Sequence, residues 1–186
     1  MIRILAVLAT LAFIAPAMAQ PLPANLDKKN AIVIDTTKGR IVIKLRTDIA
    51  PKHAEQIKLL TREGFYNNVP FHRVMAGFMA QTGDGQNFDG TGHSSHPNVP
   101  DEFSNVSFTR GTVGMASTSA PNSSNSQFFI CFDNASFLDG KYSVVGEVVS
   151  GMDVADKLKK APPGSQSGAV TDPDKMVKVQ VASDIK

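Results

Sequence analysis

The chain has 186 residues, enough to bury one sizeable core, and shows no linker or compositional shift that would divide it. Lysine and arginine number 19 against 17 aspartates and glutamates, without a basic run or stripe, so nucleic acid is not an expected partner. A single cysteine, Cys131, excludes an internal disulfide and leaves stability to packing.

In chain order, the first element is a leader. Within MIRILAVLATLAFIAPAMAQ, Arg3 precedes an apolar run from Ile4 to Ala15 and a small-residue cleavage site, Ala17-Met18-Ala19. A membrane helix would need about 20 apolar residues, and Pro16 closes this run early. A signal peptide over residues 1–19 is therefore the expectation, with no stable membrane anchor, export of the chain and a bacterial periplasm as its destination. Residues 20–30 read as an N-terminal extension and 31–186 as the functional domain.

AIVIDTTKGRIVIKL (31–45) is β-branched and partly alternating, with Gly39 at a turn, which predicts a hairpin. APKHAEQIKLLTREGFY (50–66) places Pro51 at a helix start, Ala54, Ile57 and Leu60 on one face, and Gly64 as a stop. In FHRVMAGFMAQ (71–81) two short strands flank Gly77, and antiparallel pairing about that glycine sets Arg73 opposite Gln81 on one face. Residues 82–100, rich in Gly, Asn, Ser and Pro, predict a long shaped loop. GTVGMAS (111–117), SQFFICF (126–132) and YSVVGEVV (142–149) read as short strands and MDVADKLKK (152–160) as a second helix. KMVKVQV (175–181) reads as a last strand with Val177, Val179 and Val181 on one face. Strands in runs, with only two helices, predict a mainly β chain: a closed antiparallel barrel with the helices at its ends.

Parity divides SQFFICF into Gln127, Phe129 and Cys131 on one side and Phe128, Ile130 and Phe132 on the other. The first face, beside Arg73 and Gln81, is the better ligand groove: an apolar slot rimmed by one cation and two amides. The plainer alternative is an Arg73 that lies along the surface with its head in water. His93 and His96 stand three apart in the loop without a second pair of metal-ligand type, so a loop role is favoured and no metal or other cofactor is expected. His72 points away from Arg73 and reads as packed, Cys131 as a small hydrophobe, and Asp101-Glu102 as a loop or turn pair.

FHRVMAGFMAQTGDG (71–85), GMAS (114–117), NSQFFICF (125–132) and FLDGKYSVVGEVVSGMDVADKL (137–158) together resemble the cyclophilins, the cyclosporin-binding class of peptidyl-prolyl cis-trans isomerases. The resemblance covers 31–182. It implies an eight-stranded closed antiparallel barrel capped by two helices, and an enzyme that needs no cofactor. It puts the catalytic arginine at Arg73, a proline pocket at Phe78, Met79, Gln81, Gln127, Phe129 and Leu138, and an adjoining groove at Gly90, Ala116 and Ser117. Departures from the family pattern accompany it. Ser117 stands where many eukaryotic members have asparagine, Phe137 where they have tryptophan, and Tyr142 where they have histidine, while the loop TSAPNSSNS (118–126) is one residue longer. The expected partners are proline-containing unfolded or flexible polypeptides, cyclosporin binding should be weak, and a monomer is expected. A holding chaperone using the same pocket is the competing class, with a metal-dependent hydrolase well behind it.

Overall fold

The computed structural model describes residues 21–186, so the expected signal peptide at 1–19 lies outside them. The hairpin forms as β1 (Ala31–Thr36) and β2 (Gly39–Leu45), registered from Ala31–Lys44 to Thr36–Gly39. Helix α1 (Pro51–Arg62) follows, then the short strands β3 (Val69–Pro70), β4 (Arg73–Met75) and β5 (Met79–Thr82). After the long loop come β6 (Thr112–Met115), β7 (Phe128–Cys131), β8 (Val144–Ser150), helix α2 (Met152–Ala155) and β9 (Lys175–Val181). Among the described residues no helix is long and apolar enough to cross a membrane.

The sheet corrects the expectation of a closed eight-stranded barrel. Among the described residues nine antiparallel strands run in the order β3-β9-β1-β2-β8-β6-β7-β5-β4, curled into a half-barrel whose end strands do not pair. Those ends, β3 and β4, are consecutive in the chain and separated only by Phe71 and His72. Pro70 has no N–H to offer a ladder. An irregular strap, residues 161–174, covers the seam instead. Phe71 N donates to Asp174 O (2.9 Å), Val170 N to His72 O (3.1 Å), Val74 N to Gly168 O (2.9 Å) and Ala161 N to Val74 O (2.9 Å).

Two further expectations need correction. Helix α2 spans four residues, not the nine of 152–160. Beyond it Lys157 N and Leu158 N bond three residues back, to Val154 O and Ala155 O, so the helical path tightens into turns. In β9, Asp35 pairs with Lys178 but Thr36 pairs with Met176. Val177 is thus the extra residue of a bulge and 47% exposed, and Met176 takes the buried place beside Val179 and Val181.

Two apolar clusters lie on opposite faces of β5 and β7. The main core holds Phe128, Ile130 and Phe132 with Ile57 and Leu60 of α1 and Val154 and Ala155 of α2. The second holds Phe129, Cys131 and Met79 with Phe108, Ala135 and Leu138, so the segments around 108 and 135–138 cover this face. Leu22 and Leu26, before the sheet, pack on Ala31, Val33, Val42 and Ala182.

Candidate active site

The period of two in β7 determines what the second cluster offers to solvent. Phe129 pairs across to Gln81 of β5 and to Gly114 of β6. Arg73 pairs with Gln81 across the turn at Gly77. A cleft of about 120 Å³ opens there. Its walls are Arg73, Phe78, Met79, Gln81, Ala116, Ser117, Phe129, Leu138 and Tyr142. A second cleft adjoins it through Gln81, Ala116 and Ser117 and is lined by Gly90 and Gln127. Of the anticipated site residues only Phe137 lines neither: the residue is 60% exposed, its ring 5.3 Å from that of Phe78. The floor is braced by aromatic contacts: Phe108 stacks under Phe129 (5.8 Å) and Tyr142 meets it edge-on (6.0 Å).

Arg73 is half-buried, and neutral acceptors hold it. Nε donates to Ser167 O (2.9 Å), Nη1 to Gln81 Oε1 (3.2 Å) and Nη2 to Met75 Sδ (3.2 Å), with Met79 Sδ 3.9 Å from Nη1. No ion pair among the described residues includes it. Burial lowers its pKa from the ordinary value of 12.5, and the group stays a cation at neutral pH. Thioethers are weak acceptors, so N–H groups on both terminal nitrogens can turn to a ligand.

The amides form a relay behind it. Gln81 Nε2 donates to Gln127 Oε1 (2.9 Å), and Gln127 Nε2 donates to the carbonyls of Gly90 (2.9 Å) and Gly92 (2.7 Å). A guanidinium can only donate and a carbonyl can only accept, so both ends force the same orientation on the two amides.

Other singled-out groups lie elsewhere. His72 is buried behind Gly90 and lines neither cleft, with both ring nitrogens unpartnered. His93 Nδ1 meets Ser94 O (2.8 Å) and His96 Nε2 meets Glu63 (2.9 Å), and no group of three metal-ligand side chains occurs among the described residues. Burial pushes the Cys131 thiol up to about 12, far from a reactive thiolate. Glu102 does more than shape a turn: its carboxylate accepts from Lys52 N (3.1 Å), His53 N (3.0 Å) and His53 Nδ1 (2.7 Å), capping the start of α1. The sequence reading missed Ser167, whose contribution is a carbonyl and leaves no side-chain signal. It also passed over Asp84, an acid entering a run of glycine and asparagine.

A family model for the cyclophilin type peptidyl-prolyl cis-trans isomerase/CLD matches residues 31–181. A Brucella suis protein described as "Probable peptidyl-prolyl cis-trans isomerase" is 50% identical over 190 residues, covering 96% of both chains. A peptidyl-prolyl cis-trans isomerase of Acinetobacter baylyi is 37% identical, covering 82% of this chain and 85% of the relative. Among solved structures, the cyclophilin AquaCyp293 of Hirschia baltica superposes with a TM-score of 0.76 at 30% identity, over 87% of this chain and 77% of that one. A Cryptosporidium parvum cyclophilin-type isomerase crystallised in the presence of the dipeptide Ala-Pro gives 0.74 at 28% identity, over 81% and 98%.

Proposed function

The chain belongs to the cyclophilin-type peptidyl-prolyl cis-trans isomerases, and we propose that it turns X-Pro bonds of exported polypeptides by aiming Arg73 at the prolyl nitrogen above an apolar ring pocket. Amide resonance imposes a barrier of ~18–20 kcal/mol on this rotation. No bond has to be made or broken. When the amide twists, resonance is lost and the prolyl nitrogen regains a lone pair, so a donor aimed there binds the twisted form better than either planar form. Phe78, Met79, Phe129 and Leu138 offer the ring an apolar seat, while Arg73 supplies the donor. Each ~1.4 kcal/mol of selective stabilisation gives a factor of ten, and a fast isomerase needs roughly 7 kcal/mol from donor and fixation together.

The observation that carries this reading is an unpaired cation at the rim of an apolar cleft, held by neutral acceptors that leave its charge for a ligand. A chaperone that only grips apolar peptide has no use for such a group. The export of the clients rests on the expected leader at 1–19.

The test is the exchange rate of an Ala-Pro peptide, followed by NMR with and without the mature protein. Arg73→Ala should lower kcat/KM at least about tenfold in a protein that stays folded, and Arg73→Lys should also be poor, because an ammonium does not reproduce the planar fork. Activity should be flat between about pH 6 and about 8.5 and unmoved by a chelator, since a guanidinium does not titrate there. Wild-type rates in both Arg73 variants would overturn the mechanism; a bell centred on a histidine pKa, or loss with chelator that zinc restores, would redirect it to His93 and His96.

A further inference from the structure

Gln127 is fixed by two loop carbonyls, and the loop that carries them is tied to one buried carboxylate. Asp84 has no exposed surface. Its Oδ1 accepts from Gln86 N (3.1 Å) and Asn87 N (2.8 Å), and its Oδ2 from Asp89 N (3.2 Å), Gly90 N (2.9 Å) and Gly92 N (3.0 Å). Successive backbone donors closing on one anion form a nest. Burial alone would raise the carboxyl, but the bonds from Asn87, Gly92, Gly90 and Gln86 outweigh it and hold it at about 2. Gly90 and Gly92 therefore face two ways: their N–H groups bind Asp84, and their carbonyls take both amide protons of Gln127.

From this continuous chain we infer that Asp84 is a positioning residue for the isomerase reaction, acting through Gly90, Gly92, Gln127 and Gln81 to set where the Arg73 guanidinium stands. The nest orients the two carbonyls, the carbonyls orient the Gln127 amide, and the amide oxygens pass that orientation to Nη1 of Arg73. Without the carboxylate the loop could still close, but its carbonyls would no longer hold one direction. A displacement of the order of 1 Å at a reacting group can cost up to about a hundredfold in rate. The apolar seat at Phe78, Met79 and Leu138 lies outside this chain, so ring binding should survive.

The inference rests on the reading of Arg73 as the donor, and the experiment separates the two. Asp84→Asn keeps the shape but leaves one acceptor oxygen and turns an NH₂ on the remaining donors. We expect kcat for the prolyl peptide to fall about 5- to 20-fold with KM within about twofold. Combined with Gln127→Ala, it should add no further loss, because both changes break one relay. If Arg73→Ala costs activity while Asp84→Asn does not, or if the losses of Asp84→Asn and Gln127→Ala multiply, this inference fails and the function stands. If Arg73→Ala costs nothing, the function itself fails first. Should Asp84→Asn not fold, Gly92→Ala replaces it, since its Cβ would lie 2.3 Å from Asp84 Oδ1 and must displace the carboxylate. The same kcat loss and non-additivity are then expected. Wild-type kcat in a folded Gly92→Ala protein, or failure of both variants to fold, would overturn the positioning role.

Discussion

Phe137 stands outside the cleft that its neighbour Leu138 helps to line, leaning on Phe78 and itself exposed. In the cyclosporin-sensitive relatives that the motif resembles, a tryptophan here gives an indole N–H to a carbonyl of the drug, and phenylalanine has no donor to give. The missing bond should cost ~0.5–1.5 kcal/mol, with a little buried area lost at about 25 cal/mol per Å². Cyclosporin should therefore bind roughly ten- to a hundredfold more weakly than to those relatives. Phe137→Trp should tighten inhibition in the peptide assay without a matching rise in rate, because a proline ring asks only for the apolar seat. Equal inhibition of both proteins would show that Phe137 does not make this contact. At this scale much was legible. Period two and the glycine at 77 put Arg73 opposite Gln81 and Gln127 beside Phe129, and the structure has that register. What could not be read were partners that are backbone atoms. Ser167 O lies 94 residues from Arg73 in the chain, and the carbonyls of Gly90 and Gly92 carry no residue signature.

Among the elements, the strap at 161–174 has the least regular structure and the closest hold on Arg73. It crosses β4, the exposed end of the sheet, and would otherwise leave an unpaired edge. Gly168 is the contact point. Its φ is +73°, and a Cβ there would lie 2.6 Å from Met75 Cγ and 3.1 Å from Arg73 Cγ. Gly168→Ala should cost ~1–3 kcal/mol in stability through strain and overpacking, and should lower kcat/KM at least about tenfold by pushing Arg73 off its line. Gly164→Ala is the control. Its φ is +81° but nothing lies within 4 Å, so it should lose a little stability in a denaturant titration and keep its activity. Equal activity in the two variants would mean that the strap only covers an edge. The strap was invisible in sequence because its bonds follow no period, whereas α1 and the β1–β2 hairpin announce themselves by spacing three and by alternation. The two-residue β3 was hidden for a related reason: Val69–Pro70 is too short to show any alternation. The open half-barrel, whose end strands β3 and β4 are neighbours in the chain but do not pair, followed from it and could not be foreseen.

For the molecule as a whole, stability and catalysis should respond to pH separately. His53 is fully buried, with Nδ1 on Glu102 and Nε2 unpartnered, and His72 is buried with neither nitrogen bonded. Burial lowers both pKa values below 6.5, and for His53 it outweighs the opposing pull of Glu102. That order is physically sensible, because an imidazolium would bury a second N–H with no acceptor. The unfolded chain thus takes up these protons more readily than the folded one. Their contribution is complete above about pH 6.5 and is lost as pH falls toward the folded values, at up to ~1.4 kcal/mol per pH unit for each group. A second decline should begin below about pH 4.5. For Glu102 and Asp84 burial raises the pKa, but it is outweighed, for Glu102 by the backbone N–H groups of His53 and Lys52 together with the His53 ring, and for Asp84 by backbone N–H groups, which bring it to about 2. Their contribution is present above the unfolded carboxylate pKa and disappears as pH falls through the folded one. The exposed pairs, such as Arg46–Asp48 and Arg110–Asp156, should add little to either step and fade in salt. Urea titrations from about pH 8 down to about pH 3 should give a plateau followed by these two declines, and His72→Leu should flatten the upper one. Turnover of the native protein should meanwhile stay level through pH 6 to 7, where the upper decline begins, because Arg73 keeps its charge there. A stability that holds from pH 7 to pH 5, or a rate that falls in step with it, would show that the buried histidines are not held neutral as their surroundings require.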